Sequence, residues 1–348
     1  MRTLSAAIIA KTEGGDSLKR AVASIRPFVD EVCLTWTCKE TEERPRIEGV
    51  DSVHYFDGCN AQEDCRPESA CQCKRGDIID FSSARNYSFS VTSGDLITYV
   101  DSDDTLTGSG DLRAHYTEGL RTVFPYEYGY DASGVCISHH FIDRVMPKGA
   151  SWDDPVHNQV AFPPGMRIVT CNAFTWKHAR TRVGEDSSNA RALRILRHWE
   201  NHPKYKNHPR FVYYLGRVHM DCGILGRASV ELERAFGLES HPDVKAITAL
   251  CLARCYPPKY GLAWAHRALE LRPEWPAPWL CLARTYHALA QQGVEPKKNE
   301  RLAHQFLRVG LSCDEPETLM ILNPTDKRRT RELILGSALS EEVTMRQN

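Results

Sequence analysis

The hydrophobic pattern changes period once along the chain, near residue 190, and a chain with that change can only fold as two unlike parts. Before it, short apolar runs alternate with amphipathic stretches. Leu4–Ala10 is an apolar run suited to a buried parallel strand. Gly14-Gly15, a capping Asp16 and the stripe Leu18, Ala21, Val22, Ile25 predict a helix after it. Residues 31–35 predict a second strand and 53–56 a third, and 82–91 fit a helix closed by Ser93-Gly94. Residues 96–100 form another buried strand, which stops at Asp101-Ser102-Asp103-Asp104. Strands alternating with helices imply an α/β domain, residues 1–185, with a mostly parallel, Rossmann-like sheet. Such sheets bind ligands at the carboxyl ends of their strands, where the acidic run falls.

Beyond residue 190 the strand signals fade and apolar residues recur at helical spacing to about residue 312. An internal repeat is visible. Trp279-x2-Leu282-Ala283-x2-Tyr286 is echoed by Ala249-x2-Leu252-Ala253-x2-Tyr256 and by Val212-x2-Leu215-Gly216-x2-His219, and Pro273 ends one unit. The first positions lie 37 and 30 residues apart, bracketing the period of about 34 residues of tetratricopeptide (TPR) repeats. Residues 186–315 are therefore expected to form an all-α, TPR-like domain, and such arrays bind protein partners. A plain helical bundle would share the stripe but not the matched positions. Residues 316–348, with Lys327-Arg328-Arg329-Thr330-Arg331, read as a basic, weakly ordered tail.

Apolar residues at 42% and charged residues at 26% exclude a disordered or collagen-like chain. No apolar stretch approaches the roughly 20 residues of a membrane span. Met1-Arg2-Thr3 leads into the first strand without a signal-peptide pattern, so a cytoplasmic location is expected. Charge is split: residues 1–164 carry 16 Lys/Arg against 26 Asp/Glu, and residues 165–348 carry 28 against 19. A basic half attracts polyanions, although an acidic and a basic domain can also simply attract each other. Thirteen scattered cysteines do not form a disulfide framework. Four of them, Cys59, Cys65, Cys71 and Cys73, crowd into an insertion over 58–76. A structural Zn²⁺ on four thiolates would hold that polar segment, and a loop with incidental thiols is the plainer alternative.

Alternation along an extended segment would put Asp101 and Asp103 on one side, where two carboxylates can share a hard divalent cation. Phosphate oxygens complete the shell of such a cation, so a nucleotide diphosphate is the natural co-ligand. The same four residues are also what a solvated turn shows. An EF-hand is excluded because its Gly and closing Glu are misplaced. Gly108-Ser109-Gly110-Asp111-Leu112-Arg113 lacks the third Gly of a dinucleotide-binding loop.

Several ordered blocks resemble the family-2 glycosyltransferases of GT-A fold, in particular those with TPR-like repeats appended. Ile8-Ile9-Ala10-Lys11-Thr12-Glu13 is similar to that family's opening strand and turn, and Pro27-Phe28-Val29-Asp30-Glu31-Val32 to the approach to its second strand. Asp80-Phe81-Ser82-Ser83-Ala84-Arg85-Asn86 resembles a further block, and Asp101-Ser102-Asp103 the metal motif. Trp152-Asp153-Asp154-Pro155-Val156-His157 resembles the Trp-x-Gly-x-Val-His segment. The resemblance covers roughly residues 4–180.

It implies a metal-dependent, inverting transfer of a sugar from a nucleotide-diphosphate donor, expected to be a UDP-sugar, to an acceptor hydroxyl. Asp103 would ligate Mn²⁺ or Mg²⁺, with Asp101 on the ribose or a metal-bound water and His157 as a further metal or phosphate contact. Arg85 would lie near the donor, and Lys11 and Glu13 near the base. Asp153 and Asp154 are the candidates for the catalytic base. One departure stands out: Trp36 occupies the position of the family's nucleotide-binding Asp, where an indole can stack on a base but cannot accept the same hydrogen bonds. The acceptor is a glycan, a protein or, given the basic half, a hydroxyl-bearing base in DNA, as in DNA-modifying viral systems. The alternative is a TPR scaffold whose transferase domain is inactive. By residue type alone, Arg85 could instead pair with Asp80 or Asp95, and Trp152 and His157 could belong to the core.

Overall fold

The computed structural model describes residues 2–10, 15–37, 46–56, 78–130, 136–157, 159–163, 165–178, 188–314, 327 and 330–335. Lys11, Glu13, the four clustered cysteines and most of residues 316–348 lie outside the described residues, and that last segment as a whole carries five Lys/Arg against five Asp/Glu, so only its 327–331 run is basic. The chain divides into two compact units whose main segments are Met1–Glu185 and Asp186–Thr318.

In chain order the first unit contains β1 (Leu4–Ala10), α1 (Gly15–Ile25), β2 (Glu31–Trp36), β3 (Ser52–Tyr55), α2 (Phe81–Ser90), β4 (Leu96–Asp101), β5 (Asp104–Gly108), β6 (Leu120–Tyr130), β7 (Cys136–Asp143), β8 (Val145–Pro147), β9 (Trp152–Asp153), β10 (Gln159–Val160), β11 (Arg167–Thr170) and β12 (Phe174–His178). The first sheet has the order β3-β2-β1-β4-β8, parallel throughout except where β8 meets β4. Its central strands alternate between two apolar layers, as the two-residue period of a strand requires. Leu4, Ala6 and Ile8 pack with the α1 stripe Leu18, Ala21, Val22 and Ile25. Ala7, Ile97 and Tyr99 pack instead with Phe89 of α2, Met146 and Trp152. Asp80 starts α2 by accepting hydrogen bonds from the backbone N–H groups of Ser82 and Ser83 at 2.8 and 3.2 Å.

The chain leaves β1 toward β2 and β3, then crosses back to β4. The topological switch point is therefore between β1 and β4, and Asp101 ends β4 beside it.

A second sheet, which the sequence patterns do not predict, has the order β11-β6-β12-β5, with β7 also paired to β6. The acidic run is the corner between the two sheets. Asp101 closes β4, Ser102 and Asp103 form a turn, and Asp104 opens β5. This corrects the expectation that Asp101 and Asp103 share one extended segment: the turn ends the alternation that would have aligned them.

The second unit contains α3 (Ser188–Trp199), α4 (Pro209–Asp221), α5 (Leu225–Leu238), α6 (Pro242–Cys255), α7 (Pro258–Leu271), α8 (Pro276–Gln291) and α9 (Pro296–Ser312). The three repeat motifs lie on α4, α6 and α8, each the first helix of a packed pair with α5, α7 and α9. The small residue of the motif lets the helices approach. A Cβ on Gly216 would stand 2.7 Å from the Leu232 side chain and 3.0 Å from its backbone nitrogen. Among the described residues, no helix is long and apolar enough to cross a membrane.

Candidate functional site

Three elements meet at the carboxyl end of β4. Asp101 accepts a hydrogen bond from Arg85 Nη2 of α2 at 2.7 Å. The Arg85 guanidinium lies over the rings of Tyr99 and Trp152, 4.5 and 4.9 Å from their centroids. Asn86, the next residue of α2, clamps the Trp152 backbone, accepting from its N–H at 2.7 Å and donating to its carbonyl at 3.1 Å. Trp152 in turn stands edge-on to Tyr99 at 4.7 Å. The Asp80–Asn86 block and the Trp152 segment, distant in sequence, thus form one support under Asp101. Arg85 pairs with neither Asp80, which caps α2, nor Asp95, which binds Thr3.

Behind Asp101 lies a buried ion pair. The Asp104 side chain has no exposed surface and accepts from Arg144 Nη2 at 2.6 Å and from the Tyr126 hydroxyl at 2.9 Å. Arg144, equally buried, also donates to the Tyr99 carbonyl at 2.9 Å. Its guanidinium lies 4.1, 4.5 and 5.0 Å from the ring centroids of Tyr99, Trp176 and Tyr126.

The antiparallel register of β5 and β12 sets Asp104 opposite His178, whose Nδ1 is 3.0 Å from Asp104 Oδ1 and 3.6 Å from Asp103 Oδ1. Tyr128 stacks on the imidazole at 5.1 Å, with planes 9° apart. One ligand atom each from Asp103, Asp104 and His178 all fall within 4.8 Å of one another. With Arg144 neutralising Asp104, that carboxylate is best placed to hold the imidazole through Nδ1–H. A carboxylate that orients an imidazole in this way is an arrangement common at metal centres.

The electrostatics favour positive charge here. Burial opposes ionisation of Asp101, but Arg85 and Arg144 overcome it and hold the carboxyl below its ordinary range. Burial also works against a charged His178, yet the hydrogen bond to Asp104 and the fields of Asp103 and Asp101 raise its pKa above the ordinary value. A cation bound by the imidazole would have to displace that proton, so its affinity would fall as pH is lowered.

Several expected site residues sit elsewhere. Trp36 is 5% exposed in the apolar core with Ile8, Leu34 and Val100, because its strand is covered on both faces, so it offers no open ring for a base. His157 is exposed, with a left-handed φ of 52°, and is not one of the three residues whose ligand atoms converge; nor is Asp101, which Arg85 engages. Asp154 is 4% exposed with φ of 69°, and its N–H donates to Asp153 Oδ1 at 2.8 Å. Arg144, Tyr126 and His178 were not expected. Only Asp104 carried a signal, as the fourth residue of the acidic run.

No protein-family model matches the chain, and no curated protein matches its sequence. Among solved structures, S. aureus TarS 1-349 in complex with UDP-GlcNAc is 12% identical at a TM-score of 0.33, covering 96% of this chain and 92% of that one. A second S. aureus TarS structure is 10% identical at 0.32, and the chain spans 55% of its length. MamA is 12% identical at 0.30, covering 47% of this chain and all of that one. At such TM-scores none of these similarities establishes a shared fold or function.

Proposed function

We propose that the first unit is an inverting, metal-dependent glycosyltransferase of GT-A type that uses a UDP-sugar. The observation that carries this reading is the convergence of Asp103 and His178, with Asp104 behind them, at the end of β4 beside the switch point. A carboxylate and an imidazole suit Mn²⁺ better than Mg²⁺, which prefers oxygen and water alone. Asp103 and His178 would hold the ion, and Asp104 would orient the imidazole. When bound, the ion neutralises charge on the departing nucleoside diphosphate. Arg85 and Trp152 position Asp101, leaving its second oxygen for the donor ribose.

In an inverting transfer the acceptor oxygen attacks the anomeric carbon as its bond to the diphosphate oxygen breaks, and the hydroxyl proton moves to a carboxylate. Asp153 takes that role better than Asp154, since it is half-buried whereas Asp154 is sealed from an incoming acceptor. Acceptor or partner binding is assigned to the helical unit, whose basic character fits a polyanionic acceptor such as DNA as well as a protein or glycan.

Mn²⁺ affinity measured by electron paramagnetic resonance tests the metal site. Asp103→Asn and His178→Ala are each expected to weaken binding at least about tenfold, and Asp104→Asn by about 10- to 100-fold through loss of imidazole orientation. Unchanged affinity in the first two variants would contradict the assignment.

A further inference from the structure

A second chemically competent pair lies in the same unit, away from the acidic corner and independent of the transferase reading. His115 ends a short 3₁₀ turn, Leu112–His115, and Cys171 follows β11 directly. The Cys171 Sγ is 3.2 Å from His115 Nδ1. Both residues are held from several sides. The Cys171 N–H donates to the Val123 carbonyl at 2.9 Å, and the Thr122 hydroxyl donates to the His115 carbonyl at 2.7 Å. The imidazole stands edge-on to Phe174 and Phe124, at 5.5 and 6.3 Å between centroids. The pair lines a cavity of about 380 Å³ whose wall also includes Thr117, Thr122, Thr170 and Asn172. A thiol beside a fixed imidazole, open to a small polar cavity, is the arrangement of an activated nucleophile.

We infer that Cys171 and His115 form a thiol–disulfide exchange site that takes small, uncharged disulfides from solution. The thiol donates to Nδ1 when the imidazole proton is on Nε2. As Sγ attacks one sulfur of the incoming disulfide, its proton passes to His115 Nδ1. The new Sγ–S bond forms while the disulfide's S–S bond breaks, and the departing thiolate takes the proton back from the imidazolium. One disulfide is consumed and one mixed disulfide and one thiol appear, so no further oxidant is needed.

Burial suppresses several of the other described thiols. Burial pushes Cys33 and Cys255 up to about 11 and raises Cys251 as well. Cys136, Cys222 and Cys313 are half-exposed, whereas Cys171 is 8% exposed. Accessibility alone therefore ranks Cys171 behind those three, and the imidazole ranks it ahead.

The test exposes the full chain to hydroxyethyl disulfide, quenches samples in acid over time, and follows each thiol by peptide mass spectrometry. Cys171 is expected to react at least about tenfold faster than Cys136, Cys222 and Cys313, since the roughly 10²–10⁴-fold that a positioned base supplies outweighs its lower exposure. His115→Gln and His115→Phe, the second keeping the edge-on ring packing, should remove that advantage while leaving Cys222 unchanged. A Cys171 rate at or below that of Cys222 would overturn the inference, as would an undiminished rate in both variants. Should either variant lose its circular dichroism signature, the wild-type ranking decides alone.

Discussion

Asp104 makes the strictest demand on its surroundings, because an ionised carboxylate with no exposed surface is costly unless its oxygens are compensated. Arg144, Tyr126 and His178 supply that compensation from three different strands or strand ends. Removing one partner of a buried pair is worse than removing both. Arg144→Met is accordingly predicted to destabilise the first unit by about 3–5 kcal/mol, and Arg144→Met combined with Asp104→Leu to recover part of that loss. Calorimetry of the full chain measures both, and a single-variant cost under ~1 kcal/mol would mean the pair is not desolvated as described. Little of this network was legible in sequence. Asp101 and Arg85 belong to recognisable blocks, but Arg144 sits between β7 and β8 with no local pattern. His178 is 74 residues from the carboxylate it serves. Trp36 shows the opposite failure: its residue type suggested stacking, while its position in a strand covered on both faces made it core.

Helix α2 carries the Arg85 that supports Asp101, so its first turn matters to the site as well as to stability. Asp80→Ala removes the oxygen that both Ser82 and Ser83 N–H groups donate to, and should cost about 1 kcal/mol. A thermal shift indistinguishable from zero would show that water replaces the cap. In α4, His219 is almost fully buried. Burial, reinforced by Arg197 and Arg227, lowers its pKa below the ordinary 6.5. The folded chain therefore keeps the imidazole neutral where the unfolded chain takes up a proton. Stability from this group is complete above about pH 6.5 and is lost as pH falls from there toward the lowered folded value. The melting temperature of His219→Gln should consequently fall less than that of the wild type between pH 7.5 and 5.5, and an equal fall would refute the coupling. Elements with strong periodicity, β1, β4, α1 and the repeat helices, were readable because one physical pattern dominates each. The second sheet was not, since β6 contains Pro125 and Gly129, β11 is only four residues long, and β5 opens on a buried Asp.

The division of charge, acidic over residues 1–164 and basic beyond, bears on which acceptor the proposal gives to the helical unit. A nucleic-acid acceptor predicts that binding of a DNA oligonucleotide weakens steeply between low and physiological salt, with log affinity linear in log salt concentration. A salt-independent or undetectable interaction would turn the proposal toward a neutral glycan or a peptide. Two-part organisation was legible from the change in hydrophobic period, because a helical repeat and an α/β sheet bury their apolar residues at different spacings. The chemistry at the corner between the sheets was legible only as an acidic run. The convergence of Asp103, Asp104 and His178 there depends on β12 returning beside β5, a pairing of the kind local pattern does not encode. Nucleotide release from a panel of UDP-, GDP- and dTDP-sugars, with and without Mn²⁺, addresses the transferase proposal directly. Release from one class of donor, dependent on Mn²⁺ and lost in both Asp103→Asn and His178→Ala, is the predicted result. Release that is absent for every donor, or that persists in those variants, would contradict it.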